Sequence, residues 1–411
     1  MQPLEGVRVV EVATAVQGPA VGGFLADMGA DVIKIEPPRG DANRWYRGHQ
    51  NTLPDEVLGT QFIGVGSGKR SISLDIHTDL GKEVVYRLVD RADIFFSNYR
   101  EEALGRMGLS YETLAKRNKQ LIYGVANGFG HKGPDRTKPM SDQYAQARSG
   151  IAGVTGAPES ETIIPGAIIG DTAGALSLTL GIMVAFAARE RHGFGQKVST
   201  SAYGALLWMQ SWEVNHTSLT GNLPQKLGPF HPISTGVTGI YETSDGGAFC
   251  IGFGTHEAWL TFCEIGGIRE ITTDPRWDSQ EKIGAMTFSP NRESENELRS
   301  HVAQAMRTMT TEEWSTFFEE LGESARCQQV LNYQEILDDP QALENGYIVE
   351  KEIPHAGRRK VVGNPLQFSQ TPAVPSTLFS ELGEHTQEIM QALGFSPDEI
   401  ASLEQDTIAG R

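Results

Sequence analysis

Val7-Arg8-Val9-Val10-Glu11-Val12 and Asp31-Val32-Ile33-Lys34-Ile35 are the stretches whose reading decides the fold. Both are β-branched runs of strand length. Between them, Val21, Phe24, Leu25 and Met28 fall at helical spacing over Pro19 to Met28, with Pro19 tolerated in the first turn and Gly29 as a stop. Strand, helix and strand within the first 36 residues predict a parallel pair with a right-handed crossover. The pattern recurs as strand Ser71–Ile76, helix Leu80–Val89, strand Asp93–Ser97, a helix around Tyr111–Arg117 and strand Leu121–Val125. This is a Rossmann-like parallel α/β sheet.

The whole chain of 411 residues exceeds one small domain. Its 39% apolar and 21% charged residues exclude disorder, collagen and coiled coil. Cys250, Cys263 and Cys327 are widely spaced, so neither a disulfide scaffold nor a structural zinc site is expected, and a reducing cytosol fits. No basic segment followed by an apolar one opens the sequence, so no secretory signal is read there. Thr172 to Ala188 is apolar over 17 residues but carries Thr172, Ser177 and Thr179. That is short and polar for a membrane span and suits a buried helix.

The net charge of −17 argues against nucleic-acid binding. Its distribution is uneven: residues 1–150 hold 19 Lys/Arg against 18 Asp/Glu, and the remainder 16 against 34. The first part therefore has basic side chains to spare, and an anionic small ligand is one use for them. The expected organisation is a large domain of residues 1–205 completed by 345–411, a linker at 206–234 rich in Asn, Gly, Pro and His, a small α/β domain at 235–330 and a return linker at 331–344. Within the small domain, Gly239–Thr243 and Ala248–Ile251 flank Ser244-Asp245-Gly246-Gly247, a hairpin signal. Thr310 and Glu313 have capping-box spacing, as do Ser396 and Glu399.

Several motifs fail on inspection. Gly128-Phe129-Gly130-His131-Lys132-Gly133 matches the dinucleotide fingerprint, but Pro134 and Pro139 prevent the long helix that must follow. Gly64-Val65-Gly66-Ser67-Gly68-Lys69-Arg70 is out of register for a P-loop and has Arg70 in place of the hydroxyl residue, although Lys69 and Arg70 remain phosphate candidates. His256-Glu257 starts a zinc-protease motif that Leu260 breaks, and no nucleophile elbow exists. Asp171 resists dismissal. It lies in Ile168-Ile169-Gly170-Asp171-Thr172-Ala173-Gly174-Ala175, where it reads either as an N-cap or as a nucleophilic carboxylate beside small residues that admit a ligand. Spacing alone does not choose.

Ordered blocks along nearly the whole chain resemble the class III coenzyme A transferases (the CaiB/BaiF family, with formyl-CoA transferase and the carnitine CoA-transferase). They begin with Leu4–Val10, Gln17-Gly18-Pro19, Ala26–Glu36 and Arg39-Gly40-Asp41, and continue through Gly68–Asp75, Asn98-Tyr99-Arg100 and Arg106–Leu109. Ala145–Gly150, Gly170-Asp171, Gly195–Val198, Val362–Pro365 and Leu382–Thr386 complete the series. The resemblance implies that Asp171 is the nucleophile: it would attack an acyl-CoA to give an acyl–aspartyl anhydride, then carry CoA as an aspartyl thioester to an acceptor carboxylate. Such exchange preserves the energy-rich acyl bond provided water is excluded. It also implies Gln17 near the reacting carbonyl and Asp142 in an acid–base or positioning role. Arg39, Lys69, Arg70, Leu74, Asn98, Tyr99, Arg100, Arg106 and Lys138 would hold CoA, since guanidinium forks suit phosphates.

Trp45, Tyr46, Ser141 and Phe253 are candidates for the acyl pocket. No cofactor beyond CoA itself, no metal and no membrane contact is expected, and the family's interlocked homodimer is implied. Two features depart from the family: Ser141 stands where a Tyr is common, and no run of glycines is present, Gly252-Phe253-Gly254 coming nearest. Ser141 implies a wider or more polar pocket, and the missing run of glycines speaks against oxalate or formate and leaves the acid open. A 2-methylacyl-CoA racemase is the alternative within the superfamily, but Ser141 occupies the place of its catalytic His. A noncatalytic CoA-binding protein and a nicotinamide oxidoreductase are the rivals from other classes.

Overall fold

Alternation along each strand sends apolar side chains to both faces, and that requires a sheet covered on both sides. The computed structural model, which describes residues 1–48, 52–277, 291–374 and 376–409, has such a sheet. Its strands are β1 (Arg8–Val12), β2 (Asp31–Glu36), β3 (Lys69–Ser73), β4 (Ile94–Ser97), β5 (Ile122–Asn127) and β6 (Lys197–Ser201), all parallel in the order β3-β2-β1-β4-β5-β6. On one face Val10, Ile33, Ile72 and Phe95 pack on Val84, Val85 and Leu88 of helix Asp79–Val89 and on Ile389, Met390 and Leu393 near the C-terminus. On the other, Val9, Val32, Ile94 and Phe96 meet Val21 and Leu25 of helix Gln17–Asp27 and Leu178 and Ile182 of helix Ile169–His192. The chain reverses its direction of travel across the sheet between β1 and β4, which opens a crevice at their carboxyl ends.

The molecule divides into two units, one of residues 1–149, 166–210 and 337–411, the other of 150–165 and 211–336. In the second, strands Gly239–Glu242, Ala248–Ile251 and Gln328–Gln329 form an antiparallel sheet. It packs on an aromatic core of Trp259, Phe262, Trp314, Phe317 and Phe318. The hairpin turn closes with Thr243 N–H on the Gly247 carbonyl, and Thr310 with Glu313 makes the capping box. The stretch 206–234 is not simply a linker. It contains the second half of helix Ala202–Met209 and all of helix Ser211–Thr220, because Leu206, Leu207, Trp208, Met209 and Trp212 supply helix-compatible apolar residues ahead of the Asn/Gly/Pro-rich part. The stretch 331–344 likewise holds short helices, Tyr333–Ile336 and Pro340–Glu344.

Six charged side chains are buried around β1, β2 and β3. Lys34 pairs with Glu11 at 3.0 Å and Asp41 at 2.9 Å, Lys69 with Glu11 at 2.7 Å, and Arg44 with Glu36 at 2.7 Å. Three carboxylates thus balance three cations. Burial alone pushes the Glu36 carboxyl up, but the Arg44 fork, Lys34 and Ser71 outweigh it and hold the group at about 2. Lys69 is pushed down, by burial first and by the neighbouring Lys34 charge, against the pull of Glu11. The cluster grips the loop after β1: Lys34 donates to the Ala13 carbonyl, Lys69 to the Pro19 carbonyl, and Asp41 accepts from Thr14 Oγ1. Replacing Glu11 with Leu strands the Lys69 ammonium and should cost about 3–5 kcal/mol in chemical denaturation. Combining it with Lys69→Met should recover more than half of that loss, and a strictly additive pair would contradict the coupling.

Candidate active site

The crevice at the carboxyl ends of β1, β4 and β5 has a volume of about 650 Å³. Ala15, Val16 and Gln17 come to it from β1, Asn98 and Arg100 from β4, and Asn127, Gly128 and Gly130 from β5. Asn98 ties two of these strand ends together. Its Oδ1 accepts from Thr14 N at 3.0 Å, and its Nδ2 donates to the Thr14 carbonyl at 2.8 Å. The loop so fixed passes through Ala15 at φ +62°, a left-handed conformation that is costly for a residue with a Cβ. It then delivers Gln17, which is 3% exposed, to the first turn of helix Gln17–Asp27. Among the described residues no side chain caps that turn, and its first residue, Gln17, lines the crevice at the positive end of the helix dipole.

Asp171 lies opposite, in the first turn of helix Ile169–His192. The N-cap reading of this residue is corrected here. The cap position is Ile168, the helix starting before the apolar run that marks it in the sequence, and Asp171 is the third helical residue. The capping is done from outside by Asp142, whose Oδ1 accepts from Gly170 N at 2.7 Å and Asp171 N at 3.0 Å. Glycine at 170 keeps this contact open, since a Cβ there would sit 3.0 Å from the same oxygen. Glycine at 174 does the same for Gln17, because a Cβ would come within 2.2 Å of its Nε2. Burial, and then the like charge of Asp142, raise the Asp171 carboxyl from 3.8 to about 6.

Of the residues expected at the site, Gln17, Asn98, Arg100, Lys138, Ser141, Asp142 and Asp171 line the one crevice. Others are placed differently. Lys69 is 4% exposed and consumed by Glu11 and Pro19, so it offers no ammonium to a phosphate. Arg70 forks onto Asp31 and also reaches Glu388, at the amino ends of the strands, the wrong edge of the sheet. Both sit in strand β3 rather than a loop, which explains why the P-loop likeness is accidental. Leu74 is core, and Tyr99 is half-buried against the same core. Arg39, Arg106, Trp45 and Tyr46 are exposed and do not line the crevice. Phe253 is 2% exposed between Trp259 and Phe262 and belongs to the core of the second unit.

The sequence reading missed Gln61, Asn127, His131, Arg136 and Ile168. Most of these belong to, or abut, the glycine-rich loop after β5, which is not followed by the long helix of a dinucleotide motif. Asp142 accounts for both of its oxygens, since Oδ2 accepts from Gln146 Nε2. Of its two expected roles, that geometry fits positioning. Among the described residues no group of three or more His, Cys, Asp or Glu is placed to hold a metal ion.

The description CoA-transferase family III matches residues 4–386. The chain belongs to that family. A succinyl-CoA–D-citramalate CoA-transferase of Chloroflexus aurantiacus is 31% identical to this family III chain over 98% of its length and 97% of the relative's. A formyl-CoA:oxalate CoA-transferase of Escherichia coli is 30% identical over 98% and 99%. Among solved structures, a CAIB/BAIF family protein from Brucella suis superposes with a TM-score of 0.83 at 28% identity, covering 95% of this chain and 99% of that one. This transferase is therefore an enzyme of the class that moves CoA between carboxylic acids.

A half-buried carboxyl raised to about 6 destabilises the fold once it ionises, because the native state holds its proton more tightly than the unfolded chain between pH 3.8 and 6. Asp171→Asn should therefore be more stable than the parent at pH 8, by on the order of 1–3 kcal/mol. The gain should shrink as pH falls through 6 and vanish near 4. Thermal unfolding across that range checks it, and equal stabilities at pH 8 would contradict the burial of an ionised Asp171.

Proposed function

We propose that this chain transfers CoA from an acyl-CoA to a carboxylic acid through a covalent adduct at Asp171. One observation carries the reading: a half-buried carboxylate stands in the first turn of a long helix, at the crevice the sheet opens, in a chain of CoA-transferase family III. The Asp171 carboxylate attacks the thioester carbonyl, the C–S bond breaks, and CoA leaves as thiolate from an acyl–aspartyl anhydride. The thiolate then attacks the aspartyl carbonyl, releasing the donor acid and leaving an aspartyl-CoA thioester. The acceptor carboxylate reverses both steps, so no proton, water or redox equivalent is consumed. Gln17 Nε2 and the uncapped N–H groups of its helix are the donors for the oxyanion formed at each step.

Arg100 and Lys138 on the crevice wall, with Arg39 and Arg106 outside it, are the proposed contacts for the anionic parts of CoA. The crevice wall that Asp171 shares carries amides and a hydroxyl, through Gln17, Gln61, Asn127, Ser141 and Gln143. It suits an acyl group with polar substituents better than a plain alkyl chain. The homodimer is proposed on a second feature. Helix Ile169–His192 buries Gly170, Ala173, Leu178 and Ile182 and exposes Leu176, Leu180 and Val184, at 47%, 67% and 61%, as an apolar stripe. The same helix is long and apolar enough to cross a membrane by length and composition, yet one face of it is spent on the sheet. A second copy of the chain covers the stripe economically. Light scattering should give about twice 44.8 kDa, and a monomer mass would refute the pairing.

Asp171→Asn should lower kcat by about 10⁴-fold or more while acyl-CoA still binds. In the parent, kcat/KM should fall tenfold per pH unit below about 6, where Asp171 takes up its proton. Full activity in the variant would end the proposal. Exchange of an α-proton with D₂O, in the absence of transfer, would favour the racemase.

A further inference from the structure

Gln146 is 0% exposed in the middle of helix Asp142–Ser149, and no expectation from the sequence gives it a task beyond belonging to a motif. Its amide nitrogen makes two hydrogen bonds, to Asp142 Oδ2 and to the Ala167 carbonyl at 3.1 Å. Its amide oxygen is buried without a hydrogen-bond partner among the described residues. Leaving an acceptor orphaned inside a protein is unfavourable, because it gives up its hydrogen bond to water without gaining another. The flipped amide would set that oxygen against the Asp142 carboxylate, so the orientation found is the one that serves Asp142.

The contacts form a chain with no break. Ala167 lies just before helix Ile169–His192, and Gln146 grips it with the same nitrogen that holds Asp142. Asp142 in turn holds the N–H groups of Gly170 and Asp171. Two points of the loop-to-helix junction, on either side of Ile168, are thereby referred to a single buried amide. We infer that Gln146 is a positioning residue of the transfer reaction: through Asp142 it sets the location of the Asp171 carboxylate and the field it stands in. This rests on Asp171 being the nucleophile.

The field matters because a carboxylate's nucleophilicity rises with its basicity, while the thiolate it must displace is a fixed competitor. Asp142 is the charge that acts on Asp171 from the helix packed beside it. The other ionisable groups on the crevice wall, Arg100, Glu101, Glu102, His131, Arg136 and Lys138, lie on the helix after β4, its lead-in and the loop after β5. The helix that carries Gln17 brings none to the wall.

The test is single-turnover formation of the Asp171 adduct with an acyl-CoA that the parent turns over, measured across pH for the parent, Gln146→Leu and Asp142→Asn, with thermal unfolding of each. Gln146→Leu should slow adduct formation 10- to 100-fold with the KM for acyl-CoA within about threefold. Asp142→Asn keeps an oxygen for the two N–H groups but removes the charge. It should move the acid limb toward the ordinary carboxylate range and lower the plateau severalfold. A Gln146→Leu protein that is less stable but forms the adduct at the parent's rate, on an unshifted profile, would make Gln146 merely structural and overturn the inference while leaving the nucleophile intact. No adduct at Asp171 in the parent would instead overturn the reading beneath it.

Discussion

Two carboxylates brought together at the amino end of one helix is an unfavourable arrangement, and the crevice is organised around making it persist. Asp142 donates its negative charge to the amino end of helix Ile169–His192, where two backbone N–H groups and the helix dipole repay it. Asp171, one residue further on, has its own N–H bonded to that oxygen and its carboxyl left toward the crevice. The cap thus fixes the backbone of Asp171 and raises the basicity of its side chain together. Glycine at 170 permits the approach, and Gln146 orients the cap.

On the other side of the crevice the same problem is solved with a different device. The loop from Ala13 to Gln17 has to leave β1, pass a left-handed alanine and enter a helix whose amino end is kept free of a side-chain cap. It is secured by Asn98 from the neighbouring strand and by the buried cluster of Glu11, Lys34, Glu36, Asp41, Arg44 and Lys69. The cluster's three cations and three carboxylates are paired with one another, and its remaining hydrogen bonds go to neighbouring backbone and hydroxyl groups such as the Ala13 and Pro19 carbonyls and Thr14 Oγ1, so it stabilises a geometry without supplying a ligand. Residues that look basic and available in the sequence are in fact spent on shape.

The architecture was legible because the β-branched runs and the 3.6-residue spacing from Val7 to Ile35 carry both periodicities unambiguously. The crevice followed from it, since a parallel sheet that reverses strand order at β1 and β4 binds at their carboxyl ends. Asp171 was legible as a candidate but not as a non-cap, because the polar first turn of its helix carries no apolar periodicity to mark the start. Lys69 and Arg70 were misplaced because charge on a strand gives no sign of whether its partner is another side chain or a ligand. Phe253 was misplaced because flanking glycines read the same beside a pocket and beside an aromatic core. Gln146 was invisible as an individual: its role is a pair of contacts, one of them 21 residues away, that only a folded chain brings together.

The central claim is that Asp171 carries the acyl group and then CoA. The most direct measurement is to incubate the protein with acyl-CoA donors, trap with hydroxylamine or borohydride, and map the modified peptide by mass spectrometry. A thioester-dependent modification on Asp171 alone, absent from Asp171→Asn, is the expected result. A modification on any other residue, or turnover with Asp171 unmodified throughout, would contradict it.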